Sequence, residues 1–150
     1  MCLKKILWAF GSFEKPSPQD FIPDAAIKTD GYKIIIDTQY LEMPLVDTFE
    51  VRASGVSDSG SMDPVMDEGS VDLEIFPITE RDHLIMCDNL KVGDIAVYSK
   101  PGMNVRHRIV KIGEDWQGRY FKFQGDNNPS EDNVRVRDED IICFSIGVIN

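Results

Sequence analysis

The run Asn104–Gly113, NVRHRIVKIG, decides how the chain is read. In an extended conformation it puts Val105, His107, Ile109 and Lys111 on one side and Arg106, Arg108, Val110 and Ile112 on the other. A pleated strand sends successive side chains to opposite faces, and β-branched residues suit its surface. Turn residues bound the run: Lys100–Gly102 (KPG) before it and Glu114–Gly118 (EDWQG) after it. Strand-like runs lie beyond both turns, Gly93–Lys100 (GDIAVYSK) and Arg119–Gly125 (RYFKFQG), so the centre of the sequence reads as consecutive hairpins.

The same period extends outward. Asp47–Ala53 (DTFEVRA) sets Phe49, Val51 and Ala53 against Thr48, Glu50 and Arg52, as in a half-buried strand. Val71–Pro77 (VDLEIFP) alternates similarly, Asp140–Ile149 (DIICFSIGVI) reads as a buried closing strand, and Tyr32–Thr38 (YKIIIDT) is β-branched and apolar. Helical expectations are few. Pro64–Gly69 (PVMDEG) could begin a short helix on Pro64, and Met86–Gly93 (MCDNLKVG) reads better as a turn leading into a strand. The expected class is mostly β, built from short antiparallel strands and hairpins. Glu14–Asp24 (EKPSPQDFIPD) carries three prolines and reads as a linker or extended arm. The expected division is an arm with a first strand over residues 1–45 and one compact β domain over residues 46–150.

Composition narrows the function. With 150 residues, 42% hydrophobic and 28% charged, the chain has the make-up of one globular domain. A net charge of −10 speaks against a nucleic-acid partner, since phosphate binding requires clustered Lys and Arg. The three cysteines, Cys2, Cys87 and Cys143, form no CxxC pair, which suits a reducing compartment and argues against a disulfide framework or a zinc site. Cys87 and Cys143 lie in apolar runs and read as packing residues, although a Cys–His pair is conceivable. No run approaches the roughly 20 apolar residues of a membrane span. Met1–Phe10 (MCLKKILWAF) could touch a membrane surface as a small amphipathic helix, or pack locally as a terminus. The chain is expected to be cytoplasmic, without metal or cofactor.

The chemistry-bearing residues are sparse. Ser57–Pro64 (SDSGSMDP) has the composition of an ordinary turn, yet a serine becomes a nucleophile when a base takes its proton, a third group orients that base and donors meet the oxyanion. Only two histidines exist. His83 sits among charges and reads as a surface residue, whereas His107 lies mid-strand on the side of Val105 and Ile109. Phe123–Asn133 (FQGDNNPSEDN) follows as a loop with acids at Asp126, Glu131 and Asp132.

Taken together, SGSMDP, GDIAVY, VRHRIVKI and GDNNPSED resemble, in order and rough spacing, the type I signal peptidases. The similarity is greatest to the archaeal and endoplasmic-reticulum branch, which carries His-Arg where the bacterial branch carries Lys-Arg. The LexA-type repressor peptidases share the fold that this resemblance implies. Covering roughly Val51 to Ile149, it implies Ser61 as nucleophile, His107 as general base, Asp132 as the acid that orients the imidazole and Asp126 as a second acid that braces the loop. Which of Asp126 and Asp132 orients His107 stays open. Ser61 N–H and Ser59 are the implied oxyanion donors. Met62 supplies an adaptable apolar wall for the substrate, and Gly60 between the serines permits the tight turn that lets both face one site. Arg108 falls on the opposite side of the strand and reads as structural.

The sequence also departs from that family. Its members that act on secreted proteins carry a transmembrane anchor, which this sequence lacks. Glu68–Ser70 (EGS) stands where a Gly-Asp is usual, and Ser70–Val92 reads as an insertion, such as a hairpin beside the cleft. Nothing before the β domain reads as a helix-turn-helix, and no Ala-Gly or Cys-Gly self-cleavage dipeptide occurs. The expected function is a serine endopeptidase with a Ser–His–Asp triad acting on a protein or peptide. The alternative is a catalytically silent peptide-binding module on the same scaffold, with an exposed strand edge for β-augmentation.

Overall fold

The computed structural model describes residues 27–29, 34–36, 49–57 and 59–149. Met1–Phe10, Cys2, the proline-containing run Glu14–Asp24 and the boundary expected near residue 45 lie outside these residues, as do the ends of the Tyr32–Thr38 run. Within that last run, β2 (Ile34–Ile36) pairs antiparallel with β1 (Ile27–Thr29). The remaining strands form one antiparallel sheet. They are β3 (Phe49–Gly55), β4 (Val71–Pro77), β5 (Ile95–Lys100), β6 (Met103–Asp115), β7 (Gly118–Gln124) and β8 (Ile141–Ile149), in the order β3-β4-β8-β5-β6-β7. The chain is mostly β, with hairpins at both expected central turns. Gly102 and Gly118 hold positive φ there, 85° and 103°, a region where a side chain is strained.

One face of the sheet carries the apolar core. Ile75 from β4, Phe144 and Ile146 from β8, Tyr98 from β5, Ile109 from β6 and Phe121 and Phe123 from β7 form a single cluster. Alternation fails at two places. Ile109 pairs with Phe123 and Lys111 with Lys122, so Val110 is an extra residue, a β-bulge. Beyond it the faces exchange, and Ile112 packs on the core while Lys111 is exposed. β3 is an edge strand, and Val51 is 43% exposed rather than half-buried with Phe49.

The segment Ser70–Val92 is not a hairpin. It supplies β4 and then α1 (Glu80–Asn89), a helix where a turn was expected. Thr79 caps it: its Oγ1 accepts from Asp82 N at 3.1 Å and donates to Asp82 Oδ2 at 2.6 Å. Met86 and Cys87 from the helix, with Leu90 just after it, enter the core. His83 is correspondingly half-buried rather than a surface residue, with Nε2 2.7 Å from the Ile141 carbonyl. Residues 61–66 form turns, so the helix expected over Pro64–Gly69 is absent.

The opposite face holds a buried polar network. Arg106 reaches across from β6, with Nη2 donating to Glu74 at 2.6 Å and Nε 2.7 Å from Asp72 Oδ2, although that N–H is not aligned for a hydrogen bond. Ser145 donates to Asp72 at 2.7 Å, and Ser54 donates to Glu74. Burial outweighs these partners for Asp72 and pushes its carboxyl up from 3.8 to about 6. The folded state therefore binds this proton more tightly than the unfolded chain, and the contribution of Asp72 to stability rises as pH falls from 6 towards 4. In unfolding titrations of wild type and Asp72→Asn at pH 7 and pH 4.5, the difference should move in favour of wild type at the lower pH by on the order of 2 kcal/mol. An unchanged difference would assign Asp72 an ordinary carboxyl.

Candidate active site

The turn between β3 and β4 brings Ser59 and Ser61 to one place. Gly60 holds φ at +63°, a left-handed conformation costly for other residues, and the two serine hydroxyls lie 3.2 Å apart. Among the described residues Ser61 N makes only a long contact, 3.5 Å, to Ser59 Oγ. Met62, the next residue, is buried at 4% exposure.

His107 approaches from β6 on the core-facing side, beside Val105 and Ile109. Its Nε2 lies 3.2 Å from Ser61 Oγ, and its Nδ1 lies 2.7 Å from Asp132 Oδ2. A carboxylate oxygen only accepts, so Nδ1 carries the proton and Nε2 is left with a lone pair facing the serine hydroxyl. Serine, imidazole and carboxylate thus form a continuous hydrogen-bonded chain from three segments distant in sequence.

The two acids that the sequence left unresolved take different places. Asp132 meets the imidazole. Asp126 does not: it accepts two hydrogen bonds from Arg108, Nε to Oδ1 at 2.8 Å and Nη2 to Oδ2 at 2.6 Å. Arg108 also donates to Gly93 O at 2.7 Å, so the pair ties the loop after β7 to the turn before β5. Both side chains are almost fully buried, at 4% and 1% exposure, and a bidentate pair suits such a position.

The Gly125–Asn128 stretch clamps the serine turn. Asn127 N donates to Ser61 O at 2.9 Å, and its side chain donates to Gly60 O at 2.8 Å. Gly125 sits so close that an added Cβ would lie 2.5 Å from Ser61 O and 2.7 Å from Asn128 Nδ2. Gly125→Ala should therefore displace Ser61 from His107. The expected result is a loss of about 10²-fold in kcat/KM against a destabilisation of about 1–3 kcal/mol. Steady-state assays beside thermal melts separate the two, and full activity in the variant would contradict this clamp.

Residues that the sequence did not single out complete the surroundings. Tyr98 OH donates to Asp132 Oδ2 at 2.8 Å, and Lys122 Nζ donates to Asp132 O at 2.6 Å while pairing with Glu131 at 3.1 Å. A cleft of about 310 Å³ opens over the serines, with Met62, Met66, Met103 and Val105 as apolar walls and Lys100 and Asn128 among its polar lining.

Cys87 and His83 form no competing dyad. Their Sγ–Nε2 distance is 3.9 Å, but Nε2 faces a carbonyl oxygen and must carry the proton there, so it cannot serve as a base. Burial pushes the Cys87 thiol up to about 12 and that of Cys143 higher still. Among the described residues no cluster of His, Cys, Asp and Glu suited to a metal ion occurs, and no helix is long and apolar enough to cross a membrane. No family model, curated protein or solved structure matches this chain.

Proposed function

We propose that the chain is a serine endopeptidase of the kind its motifs resemble, the signal peptidases, acting on a protein or peptide substrate. The hydrogen-bonded chain Ser61–His107–Asp132 carries this reading. In the reaction, Ser61 Oγ attacks the carbonyl carbon of the scissile bond as His107 Nε2 takes the hydroxyl proton. The carbonyl oxygen gains the negative charge, and Ser61 N–H and the Ser59 hydroxyl are the donors available to it. Collapse of the tetrahedral species breaks the C–N bond, and the imidazolium returns the proton to the leaving amine. A water then loses a proton to His107 and attacks the acyl ester, releasing the acid and restoring Ser61. Asp132 holds the tautomer and offsets the imidazolium charge without taking the proton. The apolar cleft walls favour substrate segments that fit extended, with a side chain against Met62.

The test is digestion of a diverse peptide library, read by mass spectrometry. Wild type should produce cleavages that Ser61→Ala does not. Binding without turnover by both proteins would instead favour the silent peptide-binding module, and equal cleavage by both would remove Ser61 from the reaction.

A further inference from the structure

We propose that Tyr98 is a positioning residue of this site, its hydroxyl sharing Asp132 Oδ2 with the imidazole so that it fixes the carboxylate and moderates its pull on His107. The proposal rests on the peptidase reading of the same site. Both contacts fall on one oxygen, Tyr98 OH at 2.8 Å and His107 Nδ1 at 2.7 Å. The main chain of Asp132 is pinned separately, by its N–H to Phe123 O at 2.7 Å and by Lys122 Nζ on its own carbonyl. Neither of these sets the rotation of the carboxylate. Among the described residues only Tyr98 and His107 do so, and His107 is the group to be oriented.

Tyr98 is well built for the task. It is 1% exposed and its ring lies 4.8 Å from that of Phe123, tilted by 37°. The phenol is therefore held by the core of the sheet while Asp132 stands on a loop. Burial, then the Asp132 carboxylate, raises the phenol's pKa well above its ordinary value, so it stays a donor at any working pH. A carboxylate oxygen that accepts from two donors offers less charge to either. Without the hydroxyl, Asp132 would turn more freely and would also stabilise the imidazolium more strongly.

Among the described residues, the other groups on the elements around His107 are Ser59, Ser61 and Asp63 in the turn, Lys100 in the cleft lining, Lys122 with Glu131 beyond Asp132, and, on the far face of β6, Arg106 held by Asp72 and Glu74 and Arg108 held by Asp126. Tyr98→Phe leaves all of them in place. The variant should lower kcat about tenfold with KM nearly unchanged and move the acid limb of the rate profile up by about half a pH unit. A merely structural role would lower the melting temperature without moving that limb. Titration of the His107 imidazole by NMR, in Ser61→Ala with and without Tyr98→Phe, needs no turnover. A rise in the midpoint supports Tyr98 even if no peptide is ever cleaved, in which case the peptidase reading alone fails. Should the variant misfold, the unsubstituted chain still decides: a slowly exchanging Tyr98 hydroxyl proton with a cross-peak to His107 Hδ1 is expected, and its absence overturns the proposal. An unmoved acid limb and midpoint in a folded variant overturn it as well.

Discussion

His107→Ala should lower kcat/KM for peptide cleavage by about 10⁴-fold or more while the domain stays folded. The size follows from the chemistry, because among the described residues Nε2 at 3.2 Å is the one ring nitrogen with a free lone pair that reaches the Ser61 hydroxyl. The fold should survive because the ring lines the cleft and is not part of the apolar cluster of Ile109, Phe121 and Phe123. In wild type, the rate should fall towards acid pH, since an imidazolium cannot accept the serine proton. Turnover of a fluorogenic peptide across pH, beside circular dichroism of the variant, reads both. A folded His107→Ala retaining a tenth of the activity would contradict the assignment.

Asp132→Asn should cost about 10³–10⁴-fold in kcat with KM little changed. A carboxamide can turn its NH₂ group towards Nδ1, which moves the imidazole proton to Nε2, where it blocks the serine. Asp126→Asn should behave differently. It leaves the Arg108 guanidinium buried without its counter-charge, so the loss is chiefly in stability, about 3–5 kcal/mol by denaturant unfolding. If the two variants exchanged phenotypes, the roles drawn from the hydrogen bonds would be reversed.

The sequence carried the strands well because their signal is local. Gly93–Lys100, Asn104–Gly113 and Arg119–Gly125 alternate between turn residues, and pleat geometry follows directly from such a pattern. The bulge at Val110 was not readable, since one extra residue changes no composition and only pairing with β7 shows which residue is spare. Helix α1 was missed because its buried residues, Asp82, Met86 and Cys87, include a charged one that blurs the apolar stripe. Thr79 followed by Asp82 was the available cue, a capping pattern ahead of the run. At the site, the residue types of Ser61, His107 and Asp132 were visible, but their union is a tertiary fact. Nothing local distinguishes Asp126 from Asp132, and the difference arises because Arg108 projects to the far face of β6 and claims the former. Tyr98 was hidden for a similar reason: alternation places its ring in the core, and nothing nearby indicates that its hydroxyl meets an acid 34 positions further on.

An activated Ser61 nucleophile forms an acyl-enzyme, and trapping that species tests Ser61 most directly. The protein would be mixed with an activated ester of a short peptide, quenched in acid within the first turnover and mapped by mass spectrometry. The expected result is one acyl group on Ser61 that fails to accumulate in His107→Ala. No adduct in wild type, or an adduct elsewhere that persists in Ser61→Ala, would contradict it.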